Sequence, residues 1–290
     1  MANSLRDVKI RIESTRSTAQ TTRAMYMVSQ SKVKRAERVY KEYQSFMQSV
    51  SSMVTSVVTK AGQEYEHPLL SKRPVKRTCY LIVTSDRGLA GAYNANVFKE
   101  LEHQLENHSS KNEFIISSIG KKGYNYIANK GYPTLNEEPT LVRDDVMFID
   151  VVPLAQKIID DYLAGTIDKL VIIYNHYINT LTQEVRTEEL LPISKLNGEI
   201  KETDYIYESG IERTIDMMLP MYLEDMVYGI ILDAKTSEHS SRMNSMRSAS
   251  DNADEVISKL QLLYNRARQS VITTELIDII GGANAIGGKE

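Results

Sequence analysis

Residues 230–280 read IILDAKTSEHSSRMNSMRSASDNADEVISKLQLLYNRARQSVITTELIDII, fifty-one positions with neither glycine nor proline. Those two residues interrupt regular chains, so the stretch predicts one long helix. Residues 1–61 share the same absence, and six of the seven prolines fall between Pro68 and Pro192. The chain therefore reads as two long terminal helices around a conventional insert. The expected boundaries are a first helix over 1–60, an inserted domain over 68–207, and a last helix over 208–290 that pairs with the first. Gly210 and Pro220 lie near the start of the last helix. Its expected beginning is near Ile211, with Pro220 tolerated inside it despite the tendency of proline to kink.

The first helix carries a heptad. Leu5, Val8, Ile12, Thr15, Ala19, Thr22, Tyr26, Ser29, Val33, Ala36, Tyr40, Tyr43, Met47, Val50, Val54 and Val57 advance by alternating threes and fours. A period of 3.5 sustained this long specifies a left-handed coiled coil. At 1.5 Å per residue such a helix spans roughly 80 Å, so it needs a partner along its length. The last helix supplies a matching stripe in Met243, Met246, Ala249, Ala253, Ile257, Leu260, Tyr264, Ala267, Val271 and Thr274. Beyond it the tip changes character. Val271, Ile272, Leu276, Ile277, Ile279 and Ile280 cover nearly every face, and a helix apolar all round expects burial. If the tip overshoots its own partner, other subunits must bury it.

The middle reads as α/β. Short apolar runs at 78–84, 114–119 and 170–174 predict buried strands. Helical spacing follows at 97–105, near 123–129 and at 153–163. Tyr177–Thr180 reads as a turn, with 181–191 returning as an antiparallel edge. Strands alternating with helices imply a mostly parallel sheet. The expected fold class is thus mixed α+β and α/β: a long antiparallel coiled coil of terminal helices with a Rossmann-like α/β insertion.

Composition narrows the function classes. No run of apolar residues is long enough to span a membrane, and MANSLRDVKIRIESTRST has no apolar core of a secretory signal. Cys79, the single cysteine, excludes an internal disulfide framework and fits a reducing compartment. A net charge of −3 argues against a general nucleic-acid binder. Residues 1–60 nevertheless carry eleven basic side chains against four acidic ones. That excess fits either an acidic partner or a solvated helix face.

The loop Ser85-Asp-Arg-Gly-Leu-Ala-Gly91 follows the first strand, where open α/β sheets bind ligands. A nucleotide reading has little support. There is no phosphate-binding glycine motif, and Gly120-Lys-Lys-Gly123 has the wrong spacing. The alternative is a tight turn into a helix, with Asp86 as its cap and Arg87 exposed for a partner carboxylate. The five histidines show no metal-ligand spacing. Glu238-His239-Ser240-Ser241 is expected to be a surface or seam cluster. Nothing assembles a nucleophile, base and orienter. Arg268, Gln269, Thr273 and Glu275 lie near the end of the last helix, either as a solvated patch or as a contact.

Three motifs resemble the γ subunit of bacterial F-type ATP synthase. They are Thr22-Arg-Ala-Met-Tyr-Met-Val-Ser-Gln-Ser-Lys32, the 85–91 loop, and Ser237-Glu-His-Ser-Ser-Arg-Met-Asn-Ser-Met246 continuing through Leu262–Thr273. The resemblance implies a central stalk without bond chemistry and without a cofactor or metal. The stalk stands in a ring of three α and three β subunits, and its insert meets the ε subunit and the membrane c-ring. It implies a peripheral protein on the cytoplasmic face of the cell membrane that binds neither nucleotide nor nucleic acid. Met25 would meet the lower part of β, Arg87 an acidic helix-turn-helix of β, and Arg268, Gln269 and Thr273 a polar catch higher up. Lys32 and Glu275 join them as partner-binding positions, and the region of Ile286 would sit in an apolar bearing. Ala90 stands where many relatives carry cysteine, so thiol control of the chloroplast kind is not expected. The rival readings are a substrate-binding enzyme built on the insert and a coiled-coil adaptor using the basic helix.

Overall fold

The computed structural model describes residues 5–62, 65–194, 196, 198, 199, 207 and 210–287, with side chains described as far as residue 283. The expectation for the Ile286 side chain therefore lies outside the described residues. Two compact units emerge, Met1–Val28 with Ser245–Glu290, and Ser29–Asn244. The long helices α1 (Leu5–Ala61) and α5 (Ile211–Gly287) contribute to both.

In the first unit the heptad reads out directly as burial. Leu5, Val8, Ile12, Thr15, Ala19, Thr22 and Tyr26 are buried or half-buried on α1, and almost every residue between them is exposed. Met246, Ala249, Ala253, Ile257, Leu260, Tyr264 and Ala267 form the facing stripe on α5. The polar seam positions are tolerated because their hydroxyls bond within the helix. Thr15 donates to the Arg11 carbonyl at 2.8 Å, and Thr22 to the Thr18 and Ala19 carbonyls at 3.1 Å. Arg23 pairs with Asp254 at 2.8 Å. Only an antiparallel run from that pair lets α1 back to Leu5 cover α5 on to Ala267. Leu5 then falls level with Ile272, and α5 continues past it.

In the second unit four strands form one sheet in the order β2-β1-β3-β4. Here β1 is Thr78–Val83, β2 Phe114–Ile119, β3 Lys169–Tyr177 and β4 Gln183–Leu191. β1 pairs in parallel with β2 and β3, and β4 closes the edge antiparallel to β3. One face packs beneath α2 (Tyr93–Leu105) and α3 (Lys121–Lys130) through Tyr80, Ile82, Val97, Leu101, Ile116 and Ile127. The other packs α4 (Phe148–Leu163) and the two long helices through Leu81, Ile172, Ile158, Val54, Leu219 and Ile231. Within this unit the partners of α1 and of the segment after it descend along α5. Tyr40 bonds Asp233, Tyr43 bonds Asp225 and Tyr65 bonds Asp216, so the run is again antiparallel.

Several boundaries differ from expectation. α4 begins at Phe148 rather than Pro153, because the Asp150 carboxylate accepts the Met147 N–H at 3.0 Å and caps it. α2 begins four residues before Val97. β3 runs on to Tyr177, into what reads as a turn, and β4 starts at Gln183. α5, by contrast, starts at Ile211 and carries Pro220 inside it, as expected.

Candidate functional site

Asp86 does not cap the helix that follows its own loop. Its Oδ1 accepts the Lys121 N–H at 3.0 Å, at the start of α3, while α2 has no side-chain cap. The next donors of α3 are also satisfied. Lys122 N–H bonds the Ser85 carbonyl at 3.1 Å and Gly123 N–H bonds Thr84 Oγ1 at 2.8 Å. Phosphate sites at such sheet ends depend on free N–H groups at a helix N-terminus. Here the protein's own acceptors hold them. The Gly120-x-x-Gly123 spacing serves this packing, since a Cβ on Gly120 would lie 2.2 Å from the Thr84 carbonyl oxygen and one on Gly123 2.8 Å from Thr84 Oγ1.

The Glu238-His239-Ser240-Ser241 cluster is not on the surface, which corrects that half of the expectation. Thr236, Ser237, Glu238, His239 and Ser240 are all buried. The reason is that three segments distant in sequence close over this part of α5. Ser241 Oγ donates to the Ala90 carbonyl at 2.6 Å. Ser240 Oγ and Asn244 Nδ2 donate to the Thr180 carbonyl at 2.7 and 2.6 Å. His239 Nε2 lies 3.5 Å from Asp144 Oδ1, and Asp144 in turn holds Lys32 at 2.6 Å. One turn earlier, Asp233 accepts from Tyr40 OH and the Tyr177 N–H and lies 2.5 Å from His176 Nδ1. The polar run on α5 is the surface on which the insert is clamped.

The charges inside the clamp are arranged to be kept. Glu238 lies 3.0 Å from Lys235 Nζ and 2.7 Å from Arg242 Nη2. Burial by itself raises the Glu238 carboxyl, but Lys235 and Arg242 outweigh it and hold it below the usual carboxylate range. His239 goes the other way. Burial lowers its pKa to about 4 against the pull of Glu238 and Asp144. Its Nδ1 lies 3.5 Å from an Arg242 nitrogen. A neutral ring with Nδ1 accepting from Arg242 and Nε2–H aimed at Asp144 satisfies both neighbours, so its contact with Asp144 at pH 7 is polar rather than ionic. Cys79 is fully buried in β1, and burial pushes its thiol up to about 12, which makes it an inert core residue.

The positions given to partners divide between the two units. Arg87 is exposed, and its guanidinium has no partner among the described residues. Lys32 is half-buried and engaged with Asp144. In the other unit Met25 is half-buried beside the seam, next to exposed Met27 and Val28. Arg268, Gln269, Thr273 and Glu275 are all exposed on α5. Thr273 Oγ1 bonds the Gln269 carbonyl at 2.9 Å, so α5 carries it as an ordinary helical threonine. Around them Leu276, Ile277, Ile279 and Ile280 are 54, 62, 66 and 59% exposed. Sequence reasoning missed Asp144, Thr180 and Ser241 as one structure. The available signal was the run Thr236-Ser-Glu-His-Ser-Ser241, which has poor helix propensity in the middle of a long helix and so needs tertiary partners.

Among the described residues no helix is long and apolar enough to cross a membrane, and no cluster of His, Cys, Asp and Glu could hold a metal ion. The family model described as ATP synthase matches residues 4–286. The ATP synthase gamma chain of Exiguobacterium sibiricum is 40% identical over 282 residues, 97% of this chain and 99% of its own length. A chain in the central stalk and c-ring structure of Tetrahymena thermophila mitochondrial ATP synthase aligns with a TM-score of 0.60 and 26% identity, covering 79% of this chain and 99% of that one. One from Euglena gracilis mitochondrial ATP synthase shares the fold at a TM-score of 0.69 and 19% identity, over 99% of this chain and 96% of its own. The clamped long helix, the parallel sheet with one antiparallel edge and these likenesses together place the chain in the gamma-subunit family of ATP synthase, the non-catalytic subunits of its central stalk.

Proposed function

We propose that this chain is the rotor shaft of its complex. It carries torque between a membrane c-ring and the catalytic β subunits, and so couples ion translocation to ATP synthesis or hydrolysis. The observation that carries the reading is the overrun of α5. Past Ala267 the helix continues with every residue as far as Ala283 exposed, and large apolar side chains stand on nearly all its faces. An apolar surface of that extent expects a protein partner. An α3β3 hexamer that surrounds the tip supplies one.

Within that reading Arg268, Gln269, Thr273 and Glu275 form the polar contact below the apolar tip. Met25 meets β beside the seam, and Arg87 meets an acidic segment of β. Lys32 reaches a partner by sharing its contact with Asp144. The insert carries the ε subunit and rests on the c-ring, which keeps the chain peripheral at the cytoplasmic face of the membrane. The saturated N-terminus of α3 supports a role without direct nucleotide binding, and the net charge of −3 supports one without nucleic acid.

The test is the double variant Arg268→Ala, Gln269→Ala in the assembled complex. We expect ATP-driven ion pumping per ATP hydrolysed to fall while assembly persists. Full coupling would remove the catch assignment. Purified alone, the chain should turn over no ATP.

A further inference from the structure

We propose that Ser241 and Arg242 of α5 are positioning residues that aim Arg87 at its partner. The inference rests on the reading that Arg87 contacts a neighbouring subunit. It adds that the contact is set from the shaft and not by the loop alone.

The loop carries one strained residue. Leu89 has a φ of 64°, a left-handed conformation that disfavours a branched side chain. It is 60% exposed, so burial of its side chain does not compensate. Ties to α2 and α3 hold the ends of the loop, through Ser85 with Asn94, Asp86 with Lys121 and the Ala90 carbonyl with the Tyr93 N–H, and three more bonds reach the carbonyls around Leu89. Ser85 Oγ donates to the Arg87 carbonyl at 2.7 Å, from within the loop. The other two come from α5, Ser241 Oγ to the Ala90 carbonyl at 2.6 Å and Arg242 Nε to the Gly88 carbonyl at 3.5 Å. The strained residue therefore lies between two carbonyls held by the long helix. Arg242 is fixed in turn by Glu238, and Glu238 by Lys235. This series runs from the buried interior of α5 to the backbone beside Arg87. The Arg87 side chain stays exposed without a partner among the described residues. A free cation on a loop braced by buried charges is the arrangement expected of a preorganised contact.

A role in positioning predicts non-additivity, which a role in folding does not. In complexes carrying Arg87→Ala, Ser241→Ala or both, ATP hydrolysis and ATP-driven pumping are measured on the same membranes, with bound gamma chain quantified as the control for assembly. Losing one hydrogen bond's worth of positioning should lower pumping per ATP by about threefold to tenfold. The double variant should be no worse than Arg87→Ala alone. Ser241→Thr keeps the hydroxyl and should restore coupling. If Ser241→Ala does not assemble, Arg242→Gln loses the reach to Gly88 and should give the same loss. Normal coupling in Ser241→Ala, losses that multiply in the double variant, or no rescue by Ser241→Thr would each overturn the positioning role. If Arg87→Ala alone changes nothing, the contact itself is absent and the inference falls with it.

Discussion

Gly120 and Gly131 both have positive φ, +93° and +62°, but they differ in what surrounds them. A Cβ on Gly120 would sit inside contact distance of the Thr84 backbone, whereas Gly131 has open space. Gly131→Ala should cost only about 1 kcal/mol of conformational strain. Gly120→Ala adds a backbone clash and should cost about 3 kcal/mol or more. Urea unfolding of the two variants, followed by tyrosine fluorescence, measures the difference. Equal costs would mean that the approach of α3 to Thr84 is not tight. His239 gives the residue scale a pH dependence. Between its ordinary value of 6.5 and about 4, the unfolded chain takes up a proton that the buried ring refuses. The unfolded state binds more protons there, so stability falls as pH drops through that window. The full loss is about 3 kcal/mol, and His239→Gln should remove that share of the slope. His67, also lowered by burial, leaves a remainder of the same sign. Below the window, Glu238 moves stability in the same direction, because its depressed carboxyl must be protonated. None of this was legible at Glu238-His239 in the sequence. A polar run on a helix looks solvated until Asp144, Thr180 and Ala90 are brought over it, and those contacts depend on chain folding and not on spacing.

The seam of the terminal unit was legible almost residue by residue, because a helix facing one partner converts period directly into burial. Leu260 and Leu262 show how local that is. They lie two positions apart on α5, yet Leu260 is 6% exposed and Leu262 61%. Leu260→Ala should cost about 2–4 kcal/mol by loss of burial and a residual cavity. Leu262→Ala should stay within about 0.5 kcal/mol. Thermal loss of helical circular dichroism reads both, and similar midpoints for the two variants would refute the seam assignment. Arg23 and Asp254 pair across the same seam with side chains 60 and 51% exposed. Pairs this exposed contribute little, so Arg23→Ala should leave the midpoint nearly unchanged. The insert was legible in its strands, whose apolar runs are buried on both faces, and less so in its helix starts. Pro153 suggests a beginning for α4, but Asp150 caps the helix a turn earlier. Asp86 suggests a cap for α2 and instead serves α3, because β1 and β2 lie side by side and bring its loop against the start of that helix.

For the chain as a whole, the decisive quantity is apolar surface that none of the described residues covers. Leu276, Ile277, Ile279 and Ile280 stand more than half exposed on the last turns of α5, past the level of Leu5. A free chain should therefore associate through its tip, and a chain held in its complex should not. Replacing all four with serine separates the two consequences. The free protein should become more soluble, because the exposed patch is gone. In the complex the same change removes burial worth about 1.5–3 kcal/mol for each side chain that becomes fully covered. The shaft should then be retained less well, with dissociation of gamma chain from α3β3 faster by tenfold or more. Gel filtration of the free chain and washout of gamma from immobilised complex measure the two effects on one protein. If solubility improves while retention is unchanged, the tip is an exposed liability of the isolated chain and not the seat of its bearing. The polar positions Arg268, Gln269, Thr273 and Glu275 would then hold the shaft without it.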